Sequence, residues 1–381
     1  MPIKKNFLTK PKAERCILVG LARADIAASE VVDYLNELAA LAETAGACVI
    51  ERFVQRKSAP DPAFFIGRGK VEQLQIFIEE NNIDLIIFDD ELSPAQVKNI
   101  ENLINVKVID RTALILDIFA AHAKTREAKT QVELAQLNYI LPRLTGHWSH
   151  LSRQVGGIGT KGPGETQLET DRRLVRNRIS RLKQELVKID RERYIQRQKA
   201  KTFIRVALVG YTNAGKSTLL NMLTKSKTYV ENKLFATLDT TVRRLYLDNG
   251  RVVLLSDTVG FIRKLPHHLI ASFQSTLAQT KEADIIIHIV DISHAYFEEH
   301  IKVVQEILHS LGLVEIPVLL VFNKVDRLSD FNILKSVAIR YSDALFISAL
   351  KSIRIDSICT RLTQMIEFKR FNKGKTINDS S

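Results

Sequence analysis

The sequence predicts an α/β protein in which two α/β domains are joined by a helical hairpin, on three observations. Apolar strand-like runs alternate with helix-period segments before residue 122 and again after residue 202, the pattern of mostly parallel sheets. Between them the apolar positions recur at helical spacing on either side of a glycine-rich stretch. One glycine loop, 210–217, follows an apolar run and opens a helix, the setting a phosphate cradle requires. The predicted boundaries are 1–122 for an N-terminal α/β domain and 123–201 for a helical linker with a Gly-rich loop at 154–164. Residues 202–368 form the nucleotide-binding domain, and 369–381 a polar tail.

At 45% hydrophobic and 26% charged, the 381 residues have the composition of a globular protein. No run reaches the ~18 apolar residues of a membrane span, and Met1-Pro2-Ile3-Lys4-Lys5-Asn6 lacks a signal-peptide core. Cys16, Cys48 and Cys359 lie far apart, without the spacing of a disulfide framework or a zinc site. A cytoplasmic monomer is therefore expected, with peripheral membrane association left open and no stable DNA partner. The net charge of +12 is unevenly spread. Between Asp171 and Lys201 twelve Lys/Arg face four Asp/Glu, a surplus of eight that points to a polyanionic partner.

In the N-terminal domain, strands are expected at 16–19, 48–50, 85–88 and 106–109, with helices near 29–45, 70–81 and 94–104. Ser93-Pro94 reads as an N-cap with proline at the first helical position. Gly67-Arg68-Gly69-Lys70 is too short for a phosphate cradle, and a tight turn with a surface lysine is the favoured reading. The linker begins with an amphipathic helix over 124–139, marked by Val132, Leu134, Ala135, Leu137 and Ile140 and ended by Pro142. Five glycines then fall within 154–164, which suits a loop better than a helix or strand. A long helix follows from 165 to 201, with Leu168, Leu174, Val175, Ile179, Leu182, Leu186, Val187 and Ile189 expected on one stripe. The loop's glycines and cations make Arg153, Gly157, Lys161 and Gly162 candidate RNA contacts. Trp148 is expected to cap the hairpin core, and His147 and His150 have no metal-ligating partners nearby in sequence.

Gly210-Tyr211-Thr212-Asn213-Ala214-Gly215-Lys216-Ser217 is the phosphate-loop pattern G-x-x-x-x-G-K-[ST]. Its backbone N–H groups and helix N-terminus suit phosphate oxygens, Lys216 the β- and γ-phosphates, and the Ser217 hydroxyl Mg²⁺. A hairpin through Asp248-Asn249-Gly250 leads to Asp257-Thr258-Val259-Gly260, where Asp257 would hold Mg²⁺ through water and the Gly260 N–H would bond the γ-phosphate. Asn323-Lys324-Val325-Asp326 supplies the base test, because the Asp326 carboxylate accepts from guanine N1–H and the N2 amine together. Adenine offers neither donor, a rejection that can reach ~10⁴-fold. Ser348-Ala349-Leu350 suits the loop behind the base.

The set in order, each member at the carboxyl end of an apolar strand, specifies a GTP-binding site. Thr237, Thr240 and Thr241 each suit the switch position by chemistry. Asn213 either helps hold K⁺ against the phosphates or bonds its own turn. Phe261 stands where a water-orienting Gln would sit, so intrinsic hydrolysis is expected to be slow. No general base is assigned, and His267 and His268 are read as part of a solvated switch region. Lys216 and Gly260, with a switch threonine from this interval, carry the catalytic assignment through phosphate positioning.

Phe235-Ala236-Thr237-Leu238-Asp239, Asp257 to Arg263, and the run from Gly156 to Glu169 resemble the HflX GTPases from about residue 15 to 350. The resemblance implies an N-terminal domain of its own fold, a helical linker and a Ras-like P-loop GTPase domain. It also implies binding to the 50S ribosomal subunit and its rRNA, and GTP-dependent splitting of stalled 70S ribosomes under stress. It makes Thr237 the Mg²⁺-ligating switch residue and brings the loop at 154–164 to the peptidyl-transferase region. Some relatives carry a further C-terminal domain, so that domain's contacts are not carried over. Two alternatives remain: a GTP-switched protein that recruits a protein partner, and ATP-dependent RNA remodelling by the N-terminal domain.

Overall fold

A computed structural model describes residues 13–24, 26–145, 163–198, 203–224, 234–235, 241–247, 249–265, 280–328 and 330–378. The chain divides into two compact units, Met1–Ala121 with Gln136–Ser180, and His122–Ala135 with Arg181–Ser381.

In the first unit, β1 (Arg15–Ala22), β2 (Cys48–Arg56), β3 (Leu85–Phe88) and β4 (Lys107–Asp110) form a parallel sheet ordered β2-β1-β3-β4. β1 is apolar at nearly every position because both its faces are covered. β2, at the edge, instead interleaves exposed Glu51 and Arg52 with partly buried Ile50 and Phe53. Helices α1 (Ala28–Thr44), α2 (Arg68–Asn81) and α3 (Pro94–Ile104) connect the strands. α3 starts at Ser93 with a full capping box to Gln96 and Pro94 in the first turn. Both α2 and α3 end on a left-handed asparagine, Asn82 and Asn105.

Helix α4 (Arg111–His122) was not expected from periodicity. Leu114, Ile115, Leu116, Ile118 and Phe119 are all buried, and the exposed face of Asp117, Ala120 and Ala121 holds one polar side chain among alanines, too little to mark a helical repeat. Gly67-Arg68-Gly69-Lys70 opens α2 with its groups already committed. The Gly67 N–H donates to Gln55 Oε1 at 2.7 Å, and Lys70 Nζ lies 5.4 Å from the Phe53 ring centre.

The stretch expected as a linker, which the two units share, contains α5 (Arg126–Ile140), a 3-10 turn (Leu141–Thr145) and α6 (Pro163–Gln198). Arg126 and Glu185 pair at 2.8 Å and tie α5 to α6. Along α6, Val175, Ile179, Leu182, Leu186 and Ile189 are buried or half-buried at alternating steps of four and three. Leu174 and Val187, expected on that stripe, are instead exposed. Each is one residue off the seam and rotates by about 100° out of it. Arg173, Arg176, Arg178, Arg181, Lys183, Lys188 and Arg191 are exposed.

In the second unit, β5 (Ile204–Gly210), β6 (Thr241–Tyr246), β7 (Val252–Asp257), β8 (Ile285–Asp291), β9 (Val318–Asn323) and β10 (Leu345–Phe346) form one sheet ordered β10-β9-β8-β5-β7-β6. Only β6 runs antiparallel, paired with β7 through the expected hairpin. One face packs on α7 (Lys216–Thr224) and α10 (Asp356–Asn378) through Leu219, Leu220, Ile358, Leu362 and Ile366. The other is covered by α8 (Phe297–Ser310) and α9 (Phe331–Arg340) through Ile301, Val304, Ile307 and Val337. The stretch expected as a tail from 369 begins inside α10, where Lys369 Nζ reaches the Asp284 side chain at 2.9 Å. Strand order reverses at β5, between β7 and β8, and the glycine loop leaves the carboxyl end of that strand. That is where open α/β sheets hold their ligands.

Candidate nucleotide site

The loop from β5 to α7 is shaped by two glycines. A Cβ on Gly210 would stand 2.2 Å from the Ile289 carbonyl oxygen, so no side chain fits against β8. Gly215 has φ +99°, and its Cβ would meet Asn323 Nδ2 at 2.3 Å. Asn213 takes a left-handed φ of +60° and is exposed, a conformation asparagine tolerates. Lys216 is buried, and its Nζ donates to the carbonyls of Gly210 (3.1 Å) and Tyr211 (2.8 Å). Burial, with the Lys324 charge adding to it, pulls the amine down from about 10.5 to about 8, against the opposing pull of Asp257.

A phosphate set against Lys216 favours its charged form, so binding takes up a proton wherever the free amine has begun to lose one. Nucleotide affinity should therefore be flat below pH 8 and weaken above it, by up to roughly tenfold per pH unit. GDP titrations between pH 7 and 9 check this, and an affinity unchanged at pH 9 would contradict it.

At the next strand, Ser217 Oγ donates to Asp257 Oδ2 at 2.6 Å, bringing together the expected hydroxyl ligand and the carboxylate expected to hold the metal through water. Thr258 Oγ1 donates to the Leu208 carbonyl at 2.6 Å and fastens the end of β7 to β5. Val259 is buried, and Gly260 lies against the loop. A Cβ there would fall 2.7 Å from Thr212 Cα and 3.1 Å from Lys216 Nζ. Backbone must shift to admit it, so Gly260→Ala should lower GTP affinity and turnover by roughly tenfold, about the worth of one charge-assisted hydrogen bond. GDP, which has no third phosphate, should bind normally. Equal losses for GDP and GTP would argue against this role.

Phe261 is buried among Val209, Ile286, Val304 and Ile307 and so points into the core. Its backbone extends the sheet instead: Thr212 N–H donates to Phe261 O (2.7 Å), and Phe261 N–H to Gly210 O (3.1 Å).

On the base side, Asn323 is buried and bridges two loops. Its Nδ2 donates to Ala214 O at 2.9 Å, and its Oδ1 accepts from Ala349 N–H at 2.9 Å. Lys324 adopts a left-handed φ of +66° and pairs with Asp291 at 2.6 Å. Val325 and Asp326 form the 3-10 turn that follows, with Asp326 exposed. Ser348 Oγ accepts from Lys351 N–H at 3.1 Å, Ala349 is buried, and Leu350 is 68% exposed, an apolar surface at the place expected for a base.

The Phe235 N–H donates to Thr212 Oγ1 at 3.1 Å, which brings the start of the switch interval to the loop. Thr241, one of the three threonines considered for the switch, begins β6 opposite Asp257. Ala236, Thr237, Leu238, Asp239 and Thr240 lie outside the described residues, as do His267 and His268. So do His147, Trp148, His150, Arg153, Gly157, Lys161 and Gly162.

Sequence reasoning missed three residues here. Asp291 ends β8 and anchors Lys324, but belongs to no contiguous motif. His288 is buried within β8, and burial plus the nearby Lys216 charge pushes it down to about 3, so it stays neutral. Its place inside Ile285-Ile286-Ile287-His288-Ile289 is the one signal that marked it. His300, from α8, stacks on the Tyr211 ring.

Comparison with known proteins matches residues 32–120 to a family described as GTP-binding GTPase N-terminal, and 122–200 to GTP-binding GTPase Middle Region. Residues 205–324 match the family described as 50S ribosome-binding GTPase. The chain is 53% identical to GTPase HflX of Flavobacterium psychrophilum over 82% of its own length and 76% of the relative's. With GTPase HflX of Caldanaerobacter subterraneus subsp. tengcongensis it shares 48% identity over 96% of its length and 82% of the relative's. Among solved structures, a GTP-binding protein from Sulfolobus solfataricus in complex with GDP is 25% identical, with 92% of this chain and 98% of that one covered and a TM-score of 0.46.

Proposed function

The chain belongs to the HflX GTPases and hydrolyses GTP, and from that premise we propose that it binds the 50S ribosomal subunit and splits stalled 70S ribosomes in a GTP-dependent manner. One observation carries the proposal: a guanine-nucleotide site shares a chain with a long helix whose exposed face is studded with arginine and lysine. Such a face suits an RNA backbone. The neighbouring Arg153, Gly157, Lys161 and Gly162 are proposed to meet rRNA.

Lys216 and Gly260 position the phosphates, Asp326 reads the base, and Thr237 is the proposed switch threonine. Ser217 and Asp257 converge as hard oxygen donors, a pair that fits Mg²⁺, which keeps several of its own waters. Ser217 and Thr237 would hold the ion, and it would neutralise phosphate charge. Asn213 is exposed on the loop and suits K⁺ there; equal turnover in K⁺ and Na⁺ would exclude that role. With Phe261 turned into the core, its side chain orients no water, so hydrolysis is slow until the ribosome accelerates it. The protein acts as a cytoplasmic monomer. Among the described residues no helix is long and apolar enough to cross a membrane.

GTP turnover with and without 50S subunits tests the proposal. Stimulation that fades steeply between 50 and 200 mM salt, roughly 10³-fold in affinity for six or more phosphate contacts, is the expected result. Sedimentation of 70S ribosomes with the protein and a non-hydrolysable GTP analogue should show separated subunits. An unchanged 70S peak would refute splitting.

A further inference from the structure

Tyr211, the second residue of the phosphate loop, makes more contacts than its place in the motif demands. Its carbonyl accepts from Lys216 Nζ at 2.8 Å. Its phenol oxygen accepts from the backbone N–H of Arg263 at 2.9 Å, three residues beyond Gly260. Its buried ring stacks face to face on His300 of α8, with centres 3.7 Å apart and planes inclined by 9°. His300 in turn lies 4.4 Å from the ring of His294. One residue therefore links the phosphate loop, through its carbonyl, to the segment after Gly260 and to α8, through its ring and phenol.

We propose that Tyr211 is a positioning residue that sets the segment from Gly260 to Arg263 against the phosphate loop, and thereby gives the site its preference for a third phosphate over none. This rests on the reading of the Gly260 N–H as the γ-phosphate donor. Gly260 is held on both sides. Upstream, Thr258 is bonded to β5. Downstream, Phe261 is bridged to Tyr211 through the backbone and Arg263 is pinned by the phenol. The phenol bond is made by a loop side chain beyond Gly260, as the Ser217–Asp257 bond is before it, and the His300 stack fixes the ring that makes it. Moving Gly260 away from a phosphate must break or carry this bond. Tyr211 acts through Gly260 and needs no contact with the nucleotide to do so.

The test is a pair of titrations on the full chain, one with fluorescent GDP and one with a fluorescent non-hydrolysable GTP analogue. Tyr211→Phe removes the hydroxyl and keeps the stacked ring. The GTP analogue should bind roughly three- to tenfold more weakly, the worth of one hydrogen bond, while GDP affinity stays unchanged. His300→Leu keeps the hydroxyl but frees the ring, and should shift the same ratio in the same direction. Equal weakening of both nucleotides in Tyr211→Phe would reduce Tyr211 to a support of the loop, and no change in the ratio would overturn the coupling. Wild-type binding in the same titrations separates these outcomes from a failure of the guanine reading, in which neither nucleotide would bind.

Discussion

Replacing Asp326 with Asn should lower kcat/KM for GTP by roughly 10³-fold and make XTP the better substrate. The expectation follows from counting donors and acceptors. A carboxylate accepts twice, and guanine presents two donors side by side, N1–H and the N2 amine. Each bond to a charged acceptor contributes about 1.5–3 kcal/mol, so losing the match costs about 3–5 kcal/mol, or 10²- to 10⁴-fold. An amide offers one acceptor and one donor, which fits the N1–H and O2 of xanthine. The turn that carries Asp326 is fixed independently of its side chain, by the left-handed Lys324 and its Asp291 partner. The change should therefore alter recognition and leave the fold intact. Steady-state kinetics with both nucleotides decides the matter. An Asp326→Asn protein that still preferred GTP would show that the base is read elsewhere.

The chemistry of this site was legible where it is contiguous. Gly210 to Ser217, Asp257 to Gly260 and Asn323 to Asp326 each pack several functional groups into a few positions, and each sits at the end of a strand as expected. What joins them was not legible, because the partners are distant along the chain. Asn323 bonds Ala214, 109 positions away, and Ala349, 26 away. Asp291 fixes Lys324 from the neighbouring strand. Sequence shows that Phe261 cannot orient water; only packing shows that it is a core residue of the second unit.

The same limit applied to secondary structure. α4 is hard to read because its exposed positions, Asp117, Ala120 and Ala121, carry a single charge among alanines, and β8 because its apolar run ends in no contiguous motif. In α6 the stripe read from the sequence is too generous, since Leu174 and Val187 lie one step outside a four-three repeat, and the Leu168 side chain lies outside the described residues. Periodicity finds an amphipathic helix readily and assigns its individual borderline residues poorly.

Asn323 is where the two halves of the site depend on each other, and Asn323→Ala should weaken GTP and GDP alike by roughly a hundredfold. Its amide is the bond between the phosphate loop, at Ala214, and the loop behind the base, at Ala349. Truncation leaves a buried carbonyl and a buried N–H without their partner, at about 1–3 kcal/mol each. Thermal unfolding should fall accordingly, by roughly 5–15 °C for a domain of this size. Asn323→Asp is the sharper variant. One carboxylate oxygen can still accept from the Ala349 N–H, but the other would face the Ala214 carbonyl, acceptor against acceptor. It should therefore separate the loops at the phosphate end while retaining the base end. The pattern differs from that of Gly260→Ala, where only GTP suffers because only GTP carries a third phosphate. A loss shared equally by GDP and GTP assigns Asn323 to the frame common to both. Should GDP bind either Asn323 variant normally despite a lower unfolding temperature, the bridge would contribute to stability alone.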